Sequence, residues 1–366
     1  MTLNARSRRL QARLAARPGV RSVRRPITPD GAQHFDLHYV RTGPPSPHPV
    51  LVIPGGPGMA SIHPYQALRK HAAALGLDVV MVEHRGVGMS RRDDAGRDLP
   101  AAAITVDQAV DDLGAVLDDI GADRAIVYGT SYGTYLAAGL GVRHRDRIHA
   151  MVLDSPLLSV GDIAAARQAI RGLLLGGDES GAEQLAAKMH RLVDSGTFDS
   201  LYGQVAATAY EYGGPPLLER LLELRLSGHP LLWWVLRQIA TRSMRNIPYH
   251  NEVDLVNRIA FRELDYAGEP DGLPLDPAEA LRAVAGPGPL PEFEGEPYDL
   301  VAEMPGFDWP TVVVSGQRDM TTPPAVAERI AALIPGAALV KLHTAAHSAL
   351  DTRESAALRI ARSVVD

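Results

Sequence analysis

Three side chains of this 366-residue chain could together carry out acyl transfer: Ser131, Asp319 and His347. Serine is a weak nucleophile at neutral pH until a base takes its proton, and that base needs a third group to hold its tautomer. Ser131 stands in Gly129-Thr130-Ser131-Tyr132-Gly133. The apolar run Ala125–Tyr128 precedes it, and a small-residue stretch with helical spacing follows. Strand, sharp turn and helix is the setting in which a Gly-x-Ser-x-Gly turn lifts a hydroxyl above a sheet edge. Gly129 and Gly133 leave room where a Cβ would meet neighbouring backbone. The helix start behind the serine offers N–H groups and a positive dipole end to a developing oxyanion.

The acid and the base are expected in the order serine, acid, histidine, each beyond the C-terminal end of a strand. Thr311–Ser315 reads as a strand leading through Gly316-Gln317-Arg318 to Asp319, and Ala338–Leu342 as a strand leading to the loop that holds His347. Asp154 also ends an apolar run, and His343 also follows the last one. Asp319 is preferred to Asp154. His343 lies so close to its strand that it is expected to point into a helix–sheet layer, which leaves His347. An oxyanion needs two backbone donors. The turn supplies the Tyr132 N–H, and the loop Pro54-Gly55-Gly56-Pro57-Gly58 supplies that of Gly56, because Pro57 has none.

The elements that must position these groups alternate. Val20–Ile27 and His34–Arg41 form a hairpin-like start around Pro29-Asp30-Gly31. The short apolar runs Val50–Ile53, Asp78–Val82, Ala125–Tyr128, Ala150–Leu153, Thr311–Ser315 and Ala338–Leu342 read as buried parallel strands. Helical patterns over Tyr65–Leu75, Val106–Ile120, Pro323–Ile334 and Glu354–Val364 lie among or after them. This rhythm predicts βαβ units and a mostly parallel sheet covered on both faces. Between Leu157 and Glu303 the rhythm is helical only, over Ile163–Leu174, Ala182–Val193, Leu218–Leu226, Leu231–Arg242 and Glu252–Tyr266, with a Pro/Gly/Glu-rich return at Gly286–Pro297. The expected organisation is a core over 1–156, a helical cap over 157–304 and the rest of the core over 305–366. Trp233, Trp234 and Tyr249 are expected in the core of that cap.

Composition excludes several classes. A net charge of -6 argues against general nucleic-acid or anionic-membrane partners. With no cysteine there is no disulfide, thiolate metal site or thiol nucleophile, which fits a cytoplasmic protein. No metal-ligand spacing and no phosphate-binding glycine loop before Lys-Ser/Thr is visible, so neither metal nor cofactor is expected. No stretch approaches the roughly 18 apolar residues of a membrane span. Residues 1–25 hold eight arginines and no acidic residue. They have no apolar h-region of a secretory signal and read as a solvated amphipathic helix with Leu3, Leu10 and Leu14 on one side, ending at Pro18-Gly19.

The loop Pro54–Gly58, the stretch Glu83-His84-Arg85-Gly86-Val87-Gly88-Met89-Ser90, the Ser131 turn, Gly316–Asp319 with Thr322-Pro323, and the His347 loop occur in one order. Together they resemble the proline iminopeptidase and tripeptidyl-aminopeptidase-like branch of the α/β-hydrolases, over roughly residues 20–156 and 305–366. The resemblance implies Ser131, Asp319 and His347 as the triad and Gly56 and Tyr132 as oxyanion donors. Pro54 stands where the family has His, Glu83-His84 where it commonly has Asp-Gln, and Tyr132 matches the tripeptidyl type rather than the Trp of iminopeptidases. Such exopeptidases grip the substrate's free amino group with cap carboxylates. Here Glu252, Asp254 and Glu263, with Asp265 and Glu269 beside them, are the candidates. The expected activity is an aminopeptidase on a short peptide or small molecule, with an esterase or lactonase as the alternative and a non-catalytic binding protein as a third reading.

Overall fold

Five short strands, rich in β-branched residues, run buried through the centre of the protein between helices on both faces, and a sixth, Ala338–Leu342, lies partly exposed at the sheet edge. The computed structural model describes residues 5–365 except 177–182, 197, 244–245, 267 and 285–289. The strands are β1 (Val20–Pro26), β2 (His34–Thr42), β3 (Val50–Ile53), β4 (Val79–Val82), β5 (Ala125–Thr130), β6 (Ile148–Asp154), β7 (Thr311–Gly316) and β8 (Ala338–Leu342). They form one sheet in the order β1-β2-β4-β3-β5-β6-β7-β8. β1 with β2 and β2 with β4 are antiparallel, as the hairpin start requires, and every pair from β4 to β8 is parallel.

Parallel neighbours need crossovers, and helices supply them. The side-chain period of two divides the strands between two apolar layers. Leu51, Val80, Val127, Met151 and Val313 face one layer, packed with α3 (Val106–Asp119), α4 (Tyr132–Arg143) and α12 (Pro324–Leu333). Val52, Met81, Ile126, Val152 and Val314 face the other. That layer holds α1 (Ala5–Ala15), α2 (Gln66–Ala74) and α14 (Glu354–Ser363). α3 starts at an N-cap, where Thr105 Oγ1 accepts from Gln108 N at 3.2 Å.

α1 buries Leu14 fully and Leu10 in part, while Leu3 lies outside the described residues. The arginine-rich segment is helical over α1 and, after the expected end at Pro18-Gly19, continues as the expected strand β1. Arg25 pairs with the buried Asp112 at 2.8 Å, and Arg24 with Asp36 and Asp94 at 3.1 and 2.7 Å. Among the described residues no helix is long and apolar enough to cross a membrane.

Between β6 and β7 lies a helical insertion: α5 (Asp162–Arg171), α6 (Glu183–Asp194), α7 (Ser200–Leu226), α8 (Leu231–Ser243), α9 (Val253–Arg262) and α10 (Pro277–Val284). It has an apolar cluster of its own around Leu174, Met189, Ala206, Leu222 and Trp233. The sequence pattern revealed only the second half of α7, because Gly213-Gly214-Pro215-Pro216 reads as a breaker. The chain does kink there, with Gly214 at φ 69°, and the prolines fall in the first turn of the resumed helix, where they are tolerated. α10 was not apparent in the sequence pattern. Of the three aromatics expected in this core, only Trp233 is there, its indole N–H donating to Leu221 O at 2.7 Å. Trp234 is 53% exposed, and Tyr249 packs on the sheet domain against α1. The short helices α11 (Leu300–Glu303) and α13 (Ala349–Thr352) complete the chain.

Candidate active site

β5 delivers Ser131 into a backbone conformation of φ 52° and ψ −126°, a region that non-glycine residues rarely occupy. Three constraints hold it there. Ser131 N donates to Asp154 O at 2.9 Å, locking the turn to the end of β6. A Cβ on Gly133 would lie 2.1 Å from Ile53 O, and one on Gly129 would lie 2.4 Å from Gly133 O. Both glycines are therefore needed for close approach of backbone to backbone. α4 then begins at Tyr132, so its unpaired N–H groups lie beside the serine.

β7 and β8 bring the other two groups. His347 Nε2 is 2.9 Å from Ser131 Oγ, and His347 Nδ1 is 3.0 and 3.2 Å from the two oxygens of Asp319. Asp319 is fully buried and accepts from Thr321 N, Thr322 N and the Thr322 hydroxyl at 2.8–2.9 Å. Burial would raise the Asp319 pKa, but the adjacent imidazole and these donors outweigh it and hold the group ionised below the ordinary carboxylate value. For His347, burial favours the neutral ring. The charge and hydrogen bond of Asp319, then the charges of Glu211 and Asp154, overcome it and push the pKa up to about 9. A hydroxyl, a ring base and a buried carboxylate in this line can pass a proton away from Ser131 Oγ.

Asp154 is not in the line. Its carboxylate accepts from Ala349 N, Leu350 N and the hydroxyls of Tyr128 and Thr130 at 2.8–3.2 Å, seating the segment that follows His347. His343 is exposed rather than sandwiched between helix and sheet.

Gly56 lines the cavity above Ser131, and a Cβ on the preceding Gly55 would lie 3.2 Å from Ser131 Cβ. This loop is strapped to the insertion: Ala60 N donates to His250 O at 2.9 Å and Glu252 N to Gly58 O at 2.8 Å. The Tyr132 ring is buried behind the site, its hydroxyl 3.1 Å from His84 Nε2. Burial lowers the His84 pKa to about 4, so that ring is neutral.

A cavity of about 540 Å³ opens over Ser131 and His347, between the sheet edge and the insertion. Glu252, Asp254 and Glu263 do not line it, which corrects their expected place. Glu252 accepts the Gly88 N–H of the core, Asp254 makes a two-point pair with Arg91 at 2.7 and 2.8 Å, and Glu263 accepts from Val106 N at 2.8 Å. All three tether the insertion to the core: the buried Glu252 and Glu263 need donors and find backbone amides there, while the exposed Asp254 finds the Arg91 guanidinium. The Glu269 side chain is 94% exposed and pairs with Arg282.

The carboxylates that do line the cavity are Asp162, Asp265 and Glu296. Each already has a backbone partner: Asp162 takes Leu158 N and Ser159 N, Asp265 takes Gly268 N, and Glu296 takes Val160 N. Burial pushes the Asp162 pKa up to about 6 and raises that of Glu296. Among the described residues lining the cavity there is no lysine or arginine. Asp265 stood among the sequence candidates, but Asp162 and Glu296 did not. They lie on opposite ends of the insertion, and no spacing in the sequence connects them.

Residues 48–182 match the family model described as alpha/beta hydrolase fold. A proline iminopeptidase of Thermoplasma volcanium is 28% identical over 30% of this chain and 35% of its own length, so the matched segment spans about a third of that relative. The solved structure of a proline iminopeptidase from Mycobacterium smegmatis superposes with a TM-score of 0.56 at 20% identity, covering 94% of this chain and 97% of that one. An N-acyl homoserine lactone degrading enzyme superposes with a TM-score of 0.52 at 18% identity, over 90% of this chain and 97% of its own. The sheet order, the helices on both faces and the matched family model together make this chain a protein of the α/β-hydrolase fold, similar in sequence to proline iminopeptidases.

Proposed function

We propose that this chain is a serine hydrolase acting through an acyl-enzyme, with an aminopeptidase specificity. The observation that carries the reading is the unbroken line Ser131 Oγ to His347 Nε2 at 2.9 Å and His347 Nδ1 to Asp319 at 3.0 Å, at the floor of a cavity large enough for a short peptide. His347 takes the Ser131 proton as Oγ attacks the substrate carbonyl. The Gly56 and Tyr132 N–H groups hold the oxyanion. His347 then gives the proton to the leaving amine, leaving an ester on Ser131. Water, deprotonated by His347, attacks that ester, and the proton returns to Oγ as the acid departs.

The insertion serves as a cap that sets specificity. An ammonium entering a partly dry cavity needs an anionic partner. Asp162, Asp265 and Glu296, with no lysine or arginine among the described lining residues, support a substrate with a free amino group. The similarity to proline iminopeptidases points the same way.

A second reading, an esterase or lactonase, is favoured by one observation. The same three carboxylates already accept backbone N–H groups, and much of the remaining wall is apolar, including Leu157, Ile163, Ile170 and Phe261. The test is hydrolysis of prolyl, alanyl and tripeptidyl anilides beside short acyl nitrophenyl esters, with Ser131→Ala as the blank. Anilide turnover that disappears on blocking the amino terminus is expected. Ester turnover alone would transfer the reading to the esterase, and Ser131-independent turnover would remove the triad from both.

A further inference from the structure

Among the described residues, Glu211 is the buried carboxylate of the insertion that reaches the loop carrying the candidate catalytic acid. It lies near the end of the first half of α7 and is 4% exposed. Its Oε1 accepts from Met320 N at 2.7 Å, from Thr321 N at 3.2 Å and from the Thr321 hydroxyl at 3.3 Å. The Thr321 N–H is shared, because it also donates to Asp319 at 2.9 Å. Met320, Thr321 and Thr322 form the cavity wall, and Glu211 stands behind them. It therefore touches the support of Asp319 rather than the substrate.

We infer that Glu211 is a positioning residue of the triad: it clamps the Met320–Thr321 backbone so that Asp319 stays against His347 Nδ1, and its negative charge adds to that of Asp319 at the imidazole. This inference rests on the hydrolase reading and deepens it, because it makes the base depend on how the insertion is seated.

Two physical effects are separable. The clamp needs only an acceptor, whereas the electrostatic effect needs a charge. Burial, then the nearby Asp319 charge, hold the Glu211 pKa at about 7 against the Met320 N–H and His347. Above neutrality Glu211 is an anion, so it stabilises the imidazolium and makes His347 harder to deprotonate. Asp319 and Asp154 act on His347 in the same sense, from the ends of β7 and β6. The Arg318 guanidinium lies against Gly214 at the α7 kink, and Tyr212 is largely exposed. Taking the charge away while keeping an acceptor should let His347 lose its proton at lower pH.

The experiment follows the rate of Ser131 labelling by a fluorophosphonate against pH, with full-length protein and Ser131→Ala as the blank. It requires no knowledge of the substrate. In Glu211→Gln the amide oxygen can still accept, and the acid limb should move down by about half a pH unit or more. In Glu211→Ala both effects go, and the plateau rate should also fall about tenfold or more. A Glu211→Gln profile superposed on the wild type, with a Glu211→Ala plateau within about twofold, overturns the inference and leaves the hydrolase reading intact. Wild-type protein that is not labelled at any pH overturns the hydrolase reading and this one with it. Should Glu211→Ala fail to fold, the Glu211→Gln limb alone decides.

Discussion

Asp154 and Asp319 lie at the ends of adjacent parallel strands, both fully buried, yet only Asp319 meets the imidazole. Asp154 turns to the backbone of Ala349 and Leu350, and Asp319 to His347 Nδ1. One carboxylate seats the loop that carries the histidine; the other orients its ring. The two should separate on mutation. Asp319→Asn presents the wrong tautomer partner and should lower kcat by about 10³ to 10⁴ with little change in thermal midpoint. Asp154→Ala should leave buried N–H and hydroxyl groups unpaired and cost several kcal/mol, on the order of 3. Thermal melts and steady-state kinetics on both variants decide. Loss of activity with no loss of stability in Asp154→Ala would exchange the two roles.

The pH profile carries a sign. His347 must be neutral to act as base, and its pKa is pushed up to about 9, well above the 6.5 of a free imidazole. The kcat/KM should therefore climb about tenfold per pH unit through neutrality and flatten only near that value. Stability runs the other way. A folded-state pKa above the unfolded one contributes stability that is fully present below about 6.5 and lost as pH rises through the folded value. An acid limb centred near 6.5 would mean that Asp319 does not hold the imidazolium as the geometry implies.

Gly133 tests the elbow. An added Cβ would lie 2.1 Å from Ile53 O and 2.7 Å from Pro54 O, both backbone atoms that cannot swing aside. Gly133→Ala should destabilise the protein by about 3 kcal/mol or more and displace Ser131, measurable as a lowered denaturant midpoint and lost fluorophosphonate labelling. Wild-type stability in this variant would mean that the turn packs more loosely than described.

The lining carboxylates and the tethering ones should also part company. Asp162→Asn and Asp265→Asn should raise KM for a substrate with a free amino terminus about tenfold, roughly 1.4 kcal/mol, and leave the KM of its acetylated analogue unmoved. Glu252→Gln, whose partner is the Gly88 N–H, should instead lower the melting temperature without changing that preference. Kinetics on the paired substrates make the comparison. An effect confined to Glu252 would return the amino-group site to the residues that the sequence suggested.

The buried Glu83 offers a check on stability alone. It is fully buried, and burial drives its pKa up to about 7 despite the N–H groups of Ser61, Ile62 and Met89. Between about pH 4.5 and 7 the folded state then holds a proton that the unfolded state has lost, so this group's contribution to stability declines as pH rises. Glu83→Gln should flatten the fall of the melting temperature between pH 5 and 8. An unchanged slope would show that Glu83 is ionised throughout that range.

Much of this protein is local and therefore legible in the chain. Ser131 between Gly129 and Gly133, after Ala125–Tyr128, carries its own strand, turn and helix, because those demands arise within a dozen residues. The alternation of apolar runs with helical patterns dictates a parallel sheet, since buried parallel strands need crossovers. Asp319 and His347 are expected together from their order and their places after strands, and the fold brings them within hydrogen-bond reach of each other and of Ser131. The glycine-rich breaker in α7 hid a helix, because a kink and an end look alike when only neighbours are read.

Tertiary structure decided which carboxylates do what. A side chain within a stretch of mostly helical insertion can face the cavity, the solvent or the core, and for several of them the choice depends on donors more than a hundred positions away. Glu252, Asp254 and Glu263 were drawn to Gly88, Arg91 and Val106, while Asp162 and Glu296, far apart in the chain, came to share one wall. Glu211 found the amides of Met320 and Thr321 across 109 positions of sequence. Burying a charge is costly unless a donor meets it, and where that donor stands is set only when the chain has folded.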